Sequence, residues 1–197
     1  MGALYVALLH GQVIDKTGKE ISSALTHFDV HDIARTCRCY GVERYFIVTP
    51  LETMRHLAQR MISYWNSGLG NHAIPNRGDA MEIVEVETTL DRVVEWISEK
   101  DGESPRTVAT SASTRDGLME YESVRSWIWE EEFPVLVLFG TAYGMSESVL
   151  SGCDGILEPI RGRHWNHLSV RSAVAITLER LVSEKDNKAK IEKSVMS

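Results

Sequence analysis

The stretch "PVLVLFGTAYGMSESVL", residues 134–150, decides the fold. Five apolar residues, Val135 to Phe139, run into Gly140, a second glycine follows at Gly144, and a helical pattern comes next. An unbroken apolar run of this length, closed by glycine, fits a strand covered on both faces. Strands of that kind belong to parallel sheets, whose ligands bind at the carboxyl ends of the strands. The turn from Gly140 to Gly144 is thus placed where a small molecule would be held, and glycine lets backbone come close to it. The turn is not G-x-G-x-x-G, G-x-x-x-x-G-K-[ST] or G-x-S-x-G, so neither a nucleotide-phosphate cradle nor a hydrolase elbow is supported. Ser146 and Ser148 read as polar surface residues of the following helix.

Outward from this stretch, strand-like runs alternate with helical ones. "ALYVALL" (3–9), "RYFIVTP" (44–50), "AMEIVEVE" (80–87), "RTVATSA" (106–112) and "GILEPI" (155–160) read as strands. Helices are expected over 29–42, 51–66, 89–100, 120–132 and 168–183, and residues 66–79 read as a loop. Val30, Ile33, Ala34 and Cys37 make one apolar face, with Asp29 as its N-cap and Gly41 just past its end. Val170, Val174, Leu178 and Leu181 make another. Repeated β-α-β units predict an α/β protein, a parallel sheet sandwiched between helices. Residues 1–184 form one domain in this reading, and 185–197 a charged tail.

The chain has 197 residues, 43% hydrophobic and 25% charged, as expected of a globular protein with a real core. No apolar run is long enough to span a bilayer, and the N-terminus lacks a basic n-region, so the expectation is a cytoplasmic protein without a membrane partner. Val6 stands where myristoylation needs Ser or Thr. The net charge is −7, but residues 67–133 hold 15 acidic and 6 basic side chains while both ends are nearly balanced. A polyanion would have to meet the ends. Cys37, Cys39 and Cys153 form no zinc or disulfide framework. His27 and His31 are spaced i, i+4, but Phe28 replaces the Glu of H-E-x-x-H, and no metal is expected.

Three segments taken together carry more: "HDIARTCRCYGV" (31–42), "LFGTAYGMSESVL" (138–150) and "GILEPIRGRHWNHLSVRSAVAITLERL" (155–181). In this order they resemble the three motifs of the SPOUT, or α/β-knot, RNA methyltransferases. Over residues 3–182 the chain is similar to a bacterial S-adenosylmethionine (SAM)-dependent RNA methyltransferase family, through "YVALLH", "RYFIVTPL", "VATSA" and "LEPIRG" as well. The resemblance implies a sheet sandwich whose last third is threaded into a deep trefoil knot. It implies SAM as cofactor, S-adenosylhomocysteine as product, tRNA or rRNA as partner, and a homodimer with the active site at its interface.

The cofactor residues it implies are Leu138, Phe139, Gly140, Thr141 and Gly144 from the second motif. From the third come Ile156, Leu157, Glu158, Pro159, Ile160, Gly162, Asn166, His167, Leu168 and Ser169. Arg35 matches the arginine of the first motif and would position or activate a ribose hydroxyl. For a base nitrogen, Glu158, His167 or Asp32 would take the proton. Arg35, His31, Arg161, Arg163 and Arg171 are the candidate RNA contacts. Each has a plainer reading: Arg35 as a surface ion-pairing residue, Arg161 and Arg163 as a solvated loop, Asn166 as the cap of the last helix. Thr141 and Tyr143 stand where many ribose methyltransferases have Glu, and Ser169 and Arg171 where Asn and Ser are usual, which leaves the acceptor atom open. A non-catalytic RNA-binding or regulatory dimer is the rival reading, and a different α/β small-molecule enzyme the third.

Overall fold

The apolar runs assemble into one sheet of six strands. The computed structural model describes residues 2–67, 75–164 and 166–183. Its elements are β1 Leu4–Leu9, β2 Val13–Ile14, β3 Glu20–Ile21, α1 His27–Cys39, β4 Arg44–Val48, α2 Glu52–Asn66, α3 Pro75–Met81 and β5 Val84–Glu87. There follow α4 Leu90–Asp101, β6 Arg106–Thr110, α5 Tyr121–Trp129, β7 Val135–Gly140, α6 Glu147–Ser151, β8 Gly155–Leu157 and α7 Val170–Val182. The strand order is β5-β4-β1-β7-β6-β8, and every pairing in it is parallel.

Successive side chains of a strand face opposite ways, and β1 shows what that does here. Leu4, Val6 and Leu8 pack among residues of α1, α2, α3, α5 and α7. Tyr5, Ala7 and Leu9 pack on the opposite face with Val93 and Ile97 of α4 and Val149 and Leu150 of α6. All six residues of β1 are buried, the state that an unalternating apolar strand predicts. The architecture is therefore the α/β/α sandwich.

Several local expectations are corrected. Residues 75–81 form a helix that spans the end of the expected 66–79 loop and the start of the strand expected from 80, which begins at Val84 instead. Residues 68–74, Trp165 and the 185–197 tail lie outside the described residues. The N-cap of α1 is Thr26, not Asp29. Asp29 sits one turn in, and its carboxylate accepts from the Thr26 backbone N–H at 2.9 Å, closing a capping box. Ser169, not Asn166, is the N-cap residue of α7. Ser146 is 95% buried at the start of α6, not a surface residue of it, being 5% exposed.

A hairpin not foreseen from the sequence, β2–β3, crosses the carboxyl end of the sheet. Its backbone is pinned to the turn after β7. Ile14 N–H donates to Gly144 O at 2.9 Å, Tyr143 N–H to Ile14 O at 3.1 Å, and Ser146 N–H to Gln12 O at 2.8 Å.

Candidate active site

The loops leaving β6 and β7 diverge to opposite faces of the sheet, because α5 packs on one and α6 on the other. A crevice opens where neighbouring strands send their connections apart. It is a cavity of about 850 Å³, lined by the turn after β7, the Thr110–Ser113 stretch after β6, and the chain from Leu157 to the first turn of α7. A smaller cleft of about 360 Å³, lined by Gly11, Pro50, Val48 and Thr89 among others, lies toward β4 and holds none of the expected residues.

The turn is built tightly. Its close is a hydrogen bond from Gly144 N–H to Thr141 O at 3.0 Å. Gly144 has φ +111°, a backbone that side chains disfavour, and Ala142 takes φ +53° although it is not glycine. A Cβ on Gly140 would stand 2.8 Å from Met145 Cγ and 2.9 Å from Met145 N, so glycine is required there. Thr110 Oγ1 donates to Leu138 O at 2.9 Å and locks β6 to β7 beside the cavity floor.

Of the expected cofactor residues, Phe139, Gly140, Thr141, Gly144, Leu157, Glu158, Ile160, Asn166, His167, Leu168 and Ser169 line the cavity. Leu138, Ile156, Pro159 and Gly162 do not line it. Strand parity separates the first two: Phe139 and Leu157 face the α5–α7 layer, while Leu138 and Ile156 face the α4–α6 layer. Gly162 acts through its backbone, donating to Asn166 Oδ1 at 3.0 Å, and Asn166 Nδ2 donates to Ala112 O at 3.4 Å. The amino end of α7, at Ser169 and Val170, opens on the cavity and presents backbone N–H groups and a partial positive charge to it.

The RNA-contact candidates are not among the lining residues. Arg35 is exposed on α1 and does not line its own chain's cavity. Arg171 of α7 lies 3.6 Å from Asp32 and stacks over the Phe28 ring at 4.9 Å. His31 accepts from Trp65 Nε1–H at 3.1 Å and is held edge-on to its ring. Arg161 and Arg163 are exposed in the loop above the cavity. Sequence reasoning missed Ile14, Ser111, Ser113, Arg115 and Tyr121 as lining residues. The hairpin brings Ile14 here, the β6 exit loop Ser111, Ser113 and Arg115, and the start of α5 Tyr121. Arg115 is fixed by both carboxylate oxygens of Glu147, at 3.0 and 2.8 Å.

The cavity fits a SAM-like molecule. It has apolar walls in Ile14, Phe139, Leu150 and Leu157 for a flat ring system, a glycine-built turn that admits close approach, and a helix amino end suited to a carboxylate. Among the described residues there is no group of three or more metal-ligating side chains, and no helix is long and apolar enough to cross a membrane.

The family model described as SAM-dependent RNA methyltransferase matches residues 3–183. A protein of Aquifex aeolicus with no stated function is 42% identical over 181 residues, covering 91% of this chain and 88% of its own length. A tRNA (guanine-N(1)-)-methyltransferase of Oleidesulfovibrio alaskensis is 41% identical over 182 residues, covering 92% of this chain; the chain spans only 42% of that enzyme's length. Among solved structures, the TrmH/SpoU tRNA modifying enzyme of A. aeolicus superposes with a TM-score of 0.58 at 15% identity, over 96% of this chain and 78% of that one. At that identity the likeness speaks for the fold alone.

Proposed function

The chain belongs to the SAM-dependent RNA methyltransferase family, and from that premise we propose that it methylates a nucleotide of tRNA or rRNA in the cytoplasm, as a homodimer. The observation that carries the reading is the cavity at the diverging ends of β6 and β7, walled by two of the three motifs at once. SAM supplies an electrophilic methyl group on a sulfonium. The chain's residues do the rest. The turn Gly140–Gly144 and the Leu157–Ser169 segment hold the cofactor largely through backbone. Glu158 and His167, both lining the cavity, are the groups able to accept a proton from a base nitrogen or hydroxyl acceptor.

Arg35 plays a different part. A guanidinium stays charged at any working pH, so its use is to orient a phosphate or ribose through its fork of N–H donors. Because it lies outside its own cavity, it serves the cavity of a second copy. Phe28, 60% exposed under the Arg171 guanidinium, and Leu168, 47% exposed ahead of α7, supply apolar surface for that contact. Arg161, Arg163 and Arg171 contact RNA phosphates in this reading, and the acidic middle of the sequence keeps RNA to that side. The trefoil knot, formed by threading residues 155–182, belongs to the same proposal. The hydrogen bonds from Asn166 to Ala112 and from Met119 N–H to Ile156 O support it by tying that segment to the chain after β6.

Calorimetric titration with S-adenosylhomocysteine, with molar mass measured in parallel, tests the reading. One micromolar site per chain of a dimer is expected. A well-folded protein that does not bind would overturn the cofactor assignment.

A further inference from the structure

A row of three side chains, half-buried at Thr141 and Ser23 and fully buried at His10, runs from the turn to the end of β1. Thr141 Oγ1 lies 2.9 Å from Leu9 O and 2.6 Å from Ser23 Oγ, and Ser23 Oγ lies 2.9 Å from His10 Nδ1. Counting hydrogens fixes the direction of each bond. A carbonyl only accepts, so the one hydroxyl hydrogen of Thr141 points at Leu9 O. Ser23 must then donate its own hydrogen to Thr141. That leaves nothing for Ser23 to give to the imidazole, so Nδ1 carries a hydrogen and donates to Ser23.

His10 is fully buried, and its Nε2 has no hydrogen-bond partner among the described residues. With Nδ1 protonated, the neutral ring leaves Nε2 a bare lone pair. A second proton would place a charge in a fully buried site. Burial accordingly lowers the pKa of His10 from its ordinary 6.5, against the pull of the Asp29 carboxylate and the Ala24 carbonyl, which favour the charged form.

We propose that His10 is a positioning residue for the cofactor turn: as the neutral Nδ1–H tautomer it fixes Ser23, and through Ser23 it holds Thr141 at the edge of the cavity. The proposal rests on the reading that the cavity binds SAM. It also says what His10 does not do. Nδ1 already carries its hydrogen and the row runs outward from it, so no proton can pass from the cavity to the ring. His10 is thus not the base of the reaction, although it is a buried histidine joined to the site by two hydroxyls.

The test compares His10→Leu, His10→Asn and Ser23→Ala with the parent protein. Their readouts are S-adenosylhomocysteine titration, urea unfolding, and ¹⁵N spectra of the histidine rings. His10→Leu and Ser23→Ala should each weaken binding roughly 3- to 10-fold, the range of one lost hydrogen bond. Together they should be no worse than Ser23→Ala alone, since they break one row. His10→Asn keeps an N–H donor near the Nδ1 position and should bind within about twofold of the parent. The spectra should show His10 protonated at Nδ1 and bare at Nε2 near neutral pH. Unchanged binding in a folded Ser23→Ala protein, or an Nε2–H tautomer, overturns the proposal whatever becomes of His10→Leu. If the parent itself fails to bind, the cofactor reading falls and this inference with it. If the parent binds and the variants do too, only this inference falls.

Discussion

Gly140 has no room for a single methyl group, and the obstacle is partly backbone. Met145 Cγ can swing away, but Met145 N at 2.9 Å cannot move without opening the turn. Gly140→Ala should therefore cost about 1–3 kcal/mol in urea unfolding, the range for overpacking. It should also weaken S-adenosylhomocysteine binding at least about tenfold by calorimetry. His10 makes a prediction of opposite character, legible only in pH. Its folded pKa lies below the ordinary value of 6.5, so below that pH the unfolded chain binds the proton more readily than the folded one. Its contribution is complete above 6.5 and is lost as the pH falls toward the folded value. The stability of the parent minus that of His10→Leu should consequently shrink as urea melts are taken from pH 7.5 down to 5.5. A difference that holds constant would contradict a buried neutral ring.

Among the elements, α1 is the most informative, because it carries Arg35 on one side and core residues on the other. Its start depends on the box between Thr26 and Asp29. Thr26→Ala removes the side-chain acceptor of the Asp29 N–H and should cost about 1 kcal/mol of stability by urea unfolding. The strands and long helices were readable because continuous apolar runs and the i, i+3, i+4 spacing are set by the covering layers. Short elements were not. β2 and β3 are two residues each, too brief for any period, and exist because the hairpin backbone finds partners in the turn after β7. The helix at Pro75–Met81 was hidden by Gly78 and by the Pro that starts it, which read as breakers in sequence. Asp29 stands just before the apolar stripe, where a cap is expected; only the hydrogen bonds reveal the start three residues earlier. In the site, the motifs located the two main walls. What they could not distinguish was side from side of a strand: Leu138 and Phe139 are neighbours in the motif, yet they belong to different layers. The small polar residues after β6 offered no signal, since their role comes only from standing at the diverging edge.

For the whole molecule, the position of Arg35 outside the cavity has an experimental signature. If each site joins one chain's cavity to the other's arginine, Arg35→Ala is inactive alone, and so is Gly140→Ala at SAM concentrations far below its weakened Kd. Mixed by co-refolding, they form dimers of which half are hybrid, and each hybrid has one intact site of two. Methyl transfer should return to about a quarter of the parent's. No recovery in hybrids confirmed by mass would mean that both residues serve the same chain's site.

The hairpin that pins the turn also sets a timetable. Residues 12–14 leave the ribosome early, while the partners they hold, Tyr143 to Ser146, are made some 130 positions later. Contacts so distant in sequence form late and slowly. A nascent chain halted before Tyr143 has its first strands and helices but no place for cofactor, so SAM in the cell cannot assist the early stages of folding. Only when translation has passed the turn and the wall that runs to Ser169 can the ligand begin to favour the native chain.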